Sequence, residues 1–248
     1  MDSVSIGKSS IFYNDPHDIG AILEVFVMDV YGIRNLRKGE TILDLGAGIG
    51  EFAISCSKIV GNSGLIISVE PNPQDFKALG RNISLNQCEN VKLFNNAFSS
   101  STEIINLNFK GNSFVSRTIS SKDIQRCLKE NGRDRIDAIK IDIEGAEIDA
   151  ISELKTFLAD VRIIMIELHG TKENIDQLLE PVGFNFRRLT RRQYMASALV
   201  FAFRHPVSAI KLWRTFNSTS ENPGVRKIFT GIEITHSDEL MVGIYEKV

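Results

Sequence analysis

Thr41-Ile42-Leu43-Asp44-Leu45-Gly46-Ala47-Gly48-Ile49-Gly50-Glu51-Phe52 decides the fold. Thr41 to Leu45 is a short apolar run of the kind that forms a buried strand, and a glycine-spaced turn follows at once. Beyond Gly50, the residues Phe52, Ala53, Cys56, Ile59 and Val60 recur at helical spacing. Strand, glycine turn and helix form the opening unit of a doubly wound nucleotide-binding sheet. Glycine lets backbone amides approach a ligand and aims a helix N-terminus at it.

The carboxylates around the turn narrow the ligand. Asp44 precedes the first glycine by two residues and Glu51 follows the last. Two carboxylates beside a helix N-terminus repel a pyrophosphate. They suit a ligand with a cationic end, such as the ammonium and sulfonium of S-adenosylmethionine. The pattern D-x-G-x-G-x-G resembles the first motif of class I S-adenosylmethionine-dependent methyltransferases. On that reading Asp44, Gly46, Ala47, Gly48 and Gly50 hold the methionine end of the cofactor.

Composition allows one large α/β domain with appendages in 248 residues. A net charge of −2 gives no overall steering toward nucleic acid or an anionic membrane. Neither partner is expected. Cys56, Cys88 and Cys127 are odd in number and lack metal spacing, so they read as reduced thiols of a cytoplasmic protein, and no metal is expected. No apolar run approaches a membrane span, and the N-terminus lacks a signal-peptide pattern.

Taken in order, residues 1–14 are polar and irregular, and Asp15-Pro16 starts a helix that Ile19, Ile22, Leu23, Phe26, Val27 and Val30 extend from Asp18 to Tyr31. Residues 1–38 thus form an N-terminal helical cap. A second strand over Gly64–Val69 ends at Glu70, placed to bind ribose hydroxyls with Pro71 beside it. Asn72-Pro73 caps the next helix. A third strand, Val91–Phe94, leads to a turn in which Asn96 and the backbone of Ala97 would read the adenine edge. A β-ribbon follows over 103–120, turning at Gly111-Asn112, and then a helix over Ser121–Lys129.

The second informative stretch is Ile136-Asp137-Ala138-Ile139-Lys140-Ile141-Asp142-Ile143-Glu144-Gly145-Ala146-Glu147. It reads as the central strand running into a turn beside the first glycine turn. Regular strand geometry would put Asp142 and Glu144 on one side. Lys140 to Glu147 resembles the K-[IVM]-D-[IV]-E-G-A-E signature of the FkbM-type methyltransferases, and Asp44–Gly50 and Val69–Asn72 are similar to that family's earlier motifs. Ile49 departs from the family's usual asparagine. The resemblance spans about residues 40–190. It implies an S-adenosylmethionine-dependent O-methyltransferase acting on a hydroxyl of a sugar or other small metabolite. The rivals are an RNA methyltransferase using Arg187, Arg188, Arg191 and Arg192, and a non-catalytic binding module.

A fifth strand, Val161–Ile166, delivers Glu167 and His169 to the same rim. Phe184–Leu189 and Ala198–Phe203 alternate as a hairpin, which would supply the antiparallel last strand of a seven-stranded methyltransferase sheet. The expected organisation is therefore an α/β methyltransferase domain over 39–205, with an extension over 206–248 that completes the pocket or a homo-oligomer surface. Asp142, Glu144 and His169 are the candidate catalytic residues, in that order. Asp142 would also touch the cofactor.

Overall fold

The computed structural model describes residues 2–14, 16–109, 112–219 and 241–247. The first segment is a hairpin, β1 (Asp2–Ile6) and β2 (Ser9–Tyr13), where an irregular stretch was expected. Val4, Ile6 and Ile11 are buried. Asn82 receives the hairpin: its side chain accepts from Phe12 N (2.8 Å) and donates to Phe12 O (2.8 Å) and Ile49 O (2.9 Å). Asn86, one helical turn on, clasps Ser10 in the same way. The ribbon is thus docked by side-chain amides that mimic a neighbouring strand, a partner that its own short polar sequence does not announce.

Helix α1 (Pro16–Leu23) is shorter than the expected 18–31. Its last turn widens into a π-turn over Glu24–Met28 and stops at Asp29, which takes a left-handed conformation (φ 55°). The Asp29 carboxylate accepts from Ile33 N at 2.7 Å, so the chain turns where Asp supplies its own cap.

The expected core then follows: β3 (Thr41–Leu45), α2 (Glu51–Val60), β4 (Leu65–Val69), α3 (Pro73–Leu85) and β5 (Val91–Phe94). Next come β6 (Ala97–Phe98) and the ribbon β7 (Ile104–Phe109) and β8 (Asn112–Ile119), which form a separate small sheet. Then follow α4 (Ser121–Glu130), β9 (Ala138–Ile141), α5 (Glu147–Glu153), β10 (Ile163–Leu168) and α6 (Lys172–Leu179). Last come β11 (Phe184–Arg187), α7 (Arg191–Arg204), α8 (Pro206–Thr219) and β12 (Met241–Lys247). The main sheet runs β11-β12-β10-β9-β3-β4-β5, with β12 antiparallel to both neighbours. This is a doubly wound α/β sheet whose switch point lies between β3 and β9.

Residues alternate along each strand between two cores. Ile42, Ile66, Ala138 and Met165 face the α2 side, while Leu43, Ile67, Ile139 and Ile164 face the opposite side. With both faces covered, β3, β4 and β9 are wholly buried.

Two expectations about the C-terminal part are corrected. The Phe184–Leu189/Ala198–Phe203 hairpin does not form, because Arg191–Arg204 is helical and β11 pairs with β12 instead. Thr190 and Gln193 make a capping box, and no glycine or proline interrupts the following helix formers, so an apolar run that alternates like a strand is read by the chain as α-helix. The antiparallel strand comes from Met241–Lys247, so the expected break at residue 205 leaves the sheet incomplete. Of the expected extension over 206–248, residues 220–240 and 248 lie outside the described residues.

Tyr245 of β12 is fully buried, and its hydroxyl donates to Asp176 Oδ1 at 2.6 Å. Removing residues 241–248 is expected to abolish soluble, cooperatively folding protein, since β10 and β11 lose the strand between them. Tyr245→Ala should cost about 3–5 kcal/mol and Tyr245→Phe about 1–3 kcal/mol in chemical denaturation. Cooperative unfolding at unchanged stability after the truncation would contradict this placement.

Candidate active site

The carboxyl ends of the parallel strands meet at a cavity of about 330 Å³. The turn after β3 contributes Gly46, Gly48 and Ile49, and the end of β4 contributes Glu70, Pro71 and Asn72. Asn96, Ala97 and Phe98 line the side beyond β5, and Asp142, Ile143 and Glu144 the side after β9. Glu167 comes from β10, and Leu107 and Phe114 from the ribbon. The location is the crevice where open α/β sheets bind ligands.

The glycine turn is held more tightly than the sequence implies. Gly46, Gly48 and Gly50 all have positive φ, and a Cβ on Gly46 would lie 1.8 Å from Asp142 O. The turn's amides are engaged within the protein: Gly46 N and Ala47 N donate to Val69 O, Gly48 N to Glu70 Oε2 and Gly50 N to Ala47 O. These four amides, expected to face the cofactor, are thus already bonded within the protein, while Gly46 and Gly48 line the cavity.

Asp44 is also displaced from its expected role. It is fully buried behind the turn, accepts from Ser68 Oγ (3.2 Å) and lies 3.6 Å from Lys140 Nζ. Ser68, Asp44 and Lys140 are register neighbours on β4, β3 and β9, one polar row across the sheet interior. Ala47 and Gly50 likewise do not line the cavity.

Lys140, to which no role was assigned from sequence, is the hub. Its amine donates to Gly46 O and lies 3.3 Å from Asp142 Oδ2. Burial pulls its pKa down, but the charges of Asp142, Asp44 and Glu51 outweigh burial and hold the ammonium well above its ordinary value. The signal was available: a lysine in a run of buried isoleucines requires a counter-charge.

Asp142 is the ionised centre of the cluster. Burial disfavours its charge, yet Lys140 and hydrogen bonds from Glu167 and Tyr31 keep its pKa below the usual carboxylate value. Tyr31 Oη donates to Oδ2 at 3.1 Å. Glu167 holds the proton of the pair, pushed up to about 10 by burial and by the charge of Asp142. Glu24, on the π-turn, is raised to about 7 by burial and by Asp142. Tyr31, Glu24 and Glu167 join the site through tertiary folding.

Glu144 does not share the strand side of Asp142. β9 ends at Ile141, Glu144 is left-handed (φ 50°), and its side chain is mostly exposed at the rim. His169 lies outside the cavity lining. Its Nδ1 is 2.9 Å from the wholly buried Glu147 carboxylate, and its Nε2 is 3.9 Å from Glu144. Glu147 also accepts from Gly145 N and Thr171 Oγ1. Asn96 lines the cavity, but its amide nitrogen donates to Arg117 O. The described residues contain no cluster of metal-ligating side chains.

The site fits a ligand carrying positive charge. Among the described residues Glu51 Oε2 is buried with no hydrogen-bond partner, and burial raises Glu51 to about 8 against the pull of Lys140. Glu70 is raised to about 7 by burial, despite hydrogen bonds from Gly48 N and Asn72 N at 2.8 Å each. Both line the cavity.

The methyltransferase FkbM domain matches residues 44–203. The chain belongs to this family. It is an S-adenosylmethionine-dependent methyltransferase. Among curated proteins, methyltransferase sdnD of Sordaria araneosa is 26% identical over 211 residues, covering 66% of this chain and 81% of that protein. Protein-L-isoaspartate O-methyltransferase 1 of Archaeoglobus fulgidus is 36% identical over 76 residues, 31% of this chain and 32% of that protein. Aeropyrum pernix fibrillarin, solved with natively bound S-adenosyl-L-methionine, aligns with 16% identity and a TM-score of 0.43 over 64% of each chain. No helix among the described residues is long and apolar enough to cross a membrane.

Gly46→Ala carries a strained φ and a clash with backbone, whereas Gly145→Ala carries only the φ, with nothing within 4 Å of the added Cβ. The left-handed conformation alone costs about 1–2 kcal/mol, which predicts a small loss of Tm in Gly145→Ala. Gly46→Ala should lose clearly more, and its cofactor affinity with it. Equal losses in thermal denaturation would contradict the packed turn.

Proposed function

We propose that this methyltransferase binds S-adenosylmethionine in the cavity at the β3–β9 switch point and methylates a hydroxyl of a sugar or other small metabolite. One observation carries the reading. A single cavity joins Glu70, aimed by two backbone amides, to the ionised and immobilised Asp142. Glu70 retains lone pairs for the ribose hydroxyls, and Pro71, Asn96, Ala97 and Phe98 flank the adenine. Glu51 sits where a cationic methionine end would compensate its buried carboxylate. Asp44 supports this arrangement through Lys140 rather than by contact.

Bound S-adenosylmethionine supplies an electrophilic methyl group. The protein's task is to bring an acceptor oxygen in line with it and to handle one proton. Asp142 accepts the hydroxyl hydrogen bond, orients the oxygen and takes its proton as bonding develops. Tyr31 and Lys140 hold Asp142 in one rotamer, and protonated Glu167 limits the negative charge beside it. His169, fixed by Glu147, meets the rim through Glu144 and has a secondary role.

A cation entering beside raised carboxyl groups draws their pKa values down and releases protons. Below about 7, Glu70 and Glu51 are protonated, and they become anionic as pH passes about 7 and 8 respectively. The preference for S-adenosylmethionine over uncharged-sulfur S-adenosylhomocysteine should therefore widen as pH rises through about 8, where Glu51 at the cationic end ionises. Calorimetry in two buffers of different ionisation enthalpy checks both the trend and the proton release. A flat ratio removes Glu51 as a cation contact, and a preference for NAD rejects the cofactor assignment.

Glu70→Ala should weaken cofactor binding by about tenfold to a hundredfold. Asp142→Asn should lower turnover by about 10² to 10⁴ while S-adenosylhomocysteine still binds. His169→Ala should lose less than tenfold. The assay is a screen of hydroxylated metabolites with labelled cofactor. Methyl transfer to RNA alone would favour the nucleic-acid rival, and full turnover in Asp142→Asn would refute the site.

A further inference from the structure

We propose that the outward face of α7 and α8 is a docking surface for anionic lipid bilayers. The net charge of −2 conceals a local imbalance: residues 181–220 contain six Arg, one Lys and no Asp or Glu. Arg191, Arg192, Arg204, Lys211 and Arg214 of this stretch are exposed. Between them stands apolar surface: Phe203 is 90% exposed, Leu199 67% and Val207 66%, with Ile210 and Trp213 about half exposed.

Helical geometry gathers these groups. On α7, Met195, Leu199 and Phe203 follow at four-residue spacing, with Val200 beside them, while Tyr194, Ser197 and Phe201 face inward. On α8, Val207, Ile210 and Trp213 follow at three-residue spacing, and Leu212 is buried. α7 is thus apolar on its outer face as well as its inner one. The two helices pack on each other, α7 on the 24–28 turn and α8 on α1, so the surface has a rigid backing.

Charge and chemistry select the occupant. An isologous dimer through this face would set the same five cations against themselves. RNA would satisfy the charge and find stacking faces in Phe203 and Trp213, but most of the apolar surface, Leu199, Val207, Ile210, Met195 and Val200, is aliphatic and offers none. A surface that pairs basic residues with protruding Leu, Phe, Val, Ile and Trp matches an acidic headgroup layer above hydrocarbon. The expectation of no membrane partner came from the whole-chain charge and the lack of a spanning run, neither of which reports a surface of this kind.

The test is co-sedimentation of the full chain with phosphatidylcholine vesicles, with and without phosphatidylglycerol. Partitioning should require the anionic lipid and fall as salt is added. Arg191→Gln with Arg192→Gln should weaken it by about thirtyfold. Leu199→Ser with Phe203→Ser should weaken it by at least about tenfold. Both variants should keep wild-type Tm and S-adenosylhomocysteine affinity, and Phe203→Ser alone should repeat the trend. Failure to partition at low salt overturns the proposal, as does binding indifferent to Phe203→Ser. Displacement from vesicles by a short RNA that the serine variant still binds would assign the surface to nucleic acid instead.

Discussion

A lysine inside a parallel sheet governs this structure. Lys140 has almost no exposed surface, and its ammonium is met by Gly46 O, Asp142 and Asp44, with Ser68 bonded behind Asp44. A buried charge is tolerated only with good geometry and complete partners, and loss of one partner leaves the rest uncompensated. The row therefore ties β4, β3 and β9 to each other and the glycine turn to the turn after β9. Because Gly46 also packs against Asp142 O, the two loops that bound the cavity cannot move independently.

That constraint explains the electrostatics of the pocket. The Lys140 ammonium sits among Asp44, Glu51, Asp142, Glu24 and Glu167: it helps hold Asp142 below the usual carboxylate range, while burial raises Asp44, and raises Glu24 to about 7, Glu51 to about 8 and Glu167 to about 10. The result is a site poised to accept positive charge and to keep one carboxylate anionic and still. The turn's amides, engaged with Val69, Glu70 and Ala47, hold the cradle in shape.

Both chain ends close the domain around this centre. The N-terminal hairpin is fastened to α3 through Asn82, which also reaches Ile49 in the glycine turn, and β12 completes the sheet between β10 and β11. Surface charge is segregated accordingly: the cavity gathers acidic groups, while the outward face of α7 and α8 gathers basic ones.

Local signals sufficed wherever they were strong. The Thr41–Phe52 unit, the Asn72 cap, the β-ribbon and the Ala138–Ile141 strand all stand where periodicity, glycine and proline put them, and Gly46, Gly48, Glu70, Pro71, Asn96, Ala97, Asp142 and Glu144 converge on one cavity. Phe184–Arg187 is a strand as expected, but Ala198–Phe203 misled because an apolar run of mixed spacing satisfies both strand and helix periods, and a capping box decided it. The hairpin at residues 2–13 and the place of β12 in the sheet were hidden because their partners lie more than fifty residues away. Burial and charge pairing are likewise properties of the assembled molecule. Asp44 and Asp142 look alike in sequence, but one lies sealed behind the glycine turn and the other opens on the cavity, since register across β3 and β9, not spacing along the chain, sets which carboxylate meets solvent.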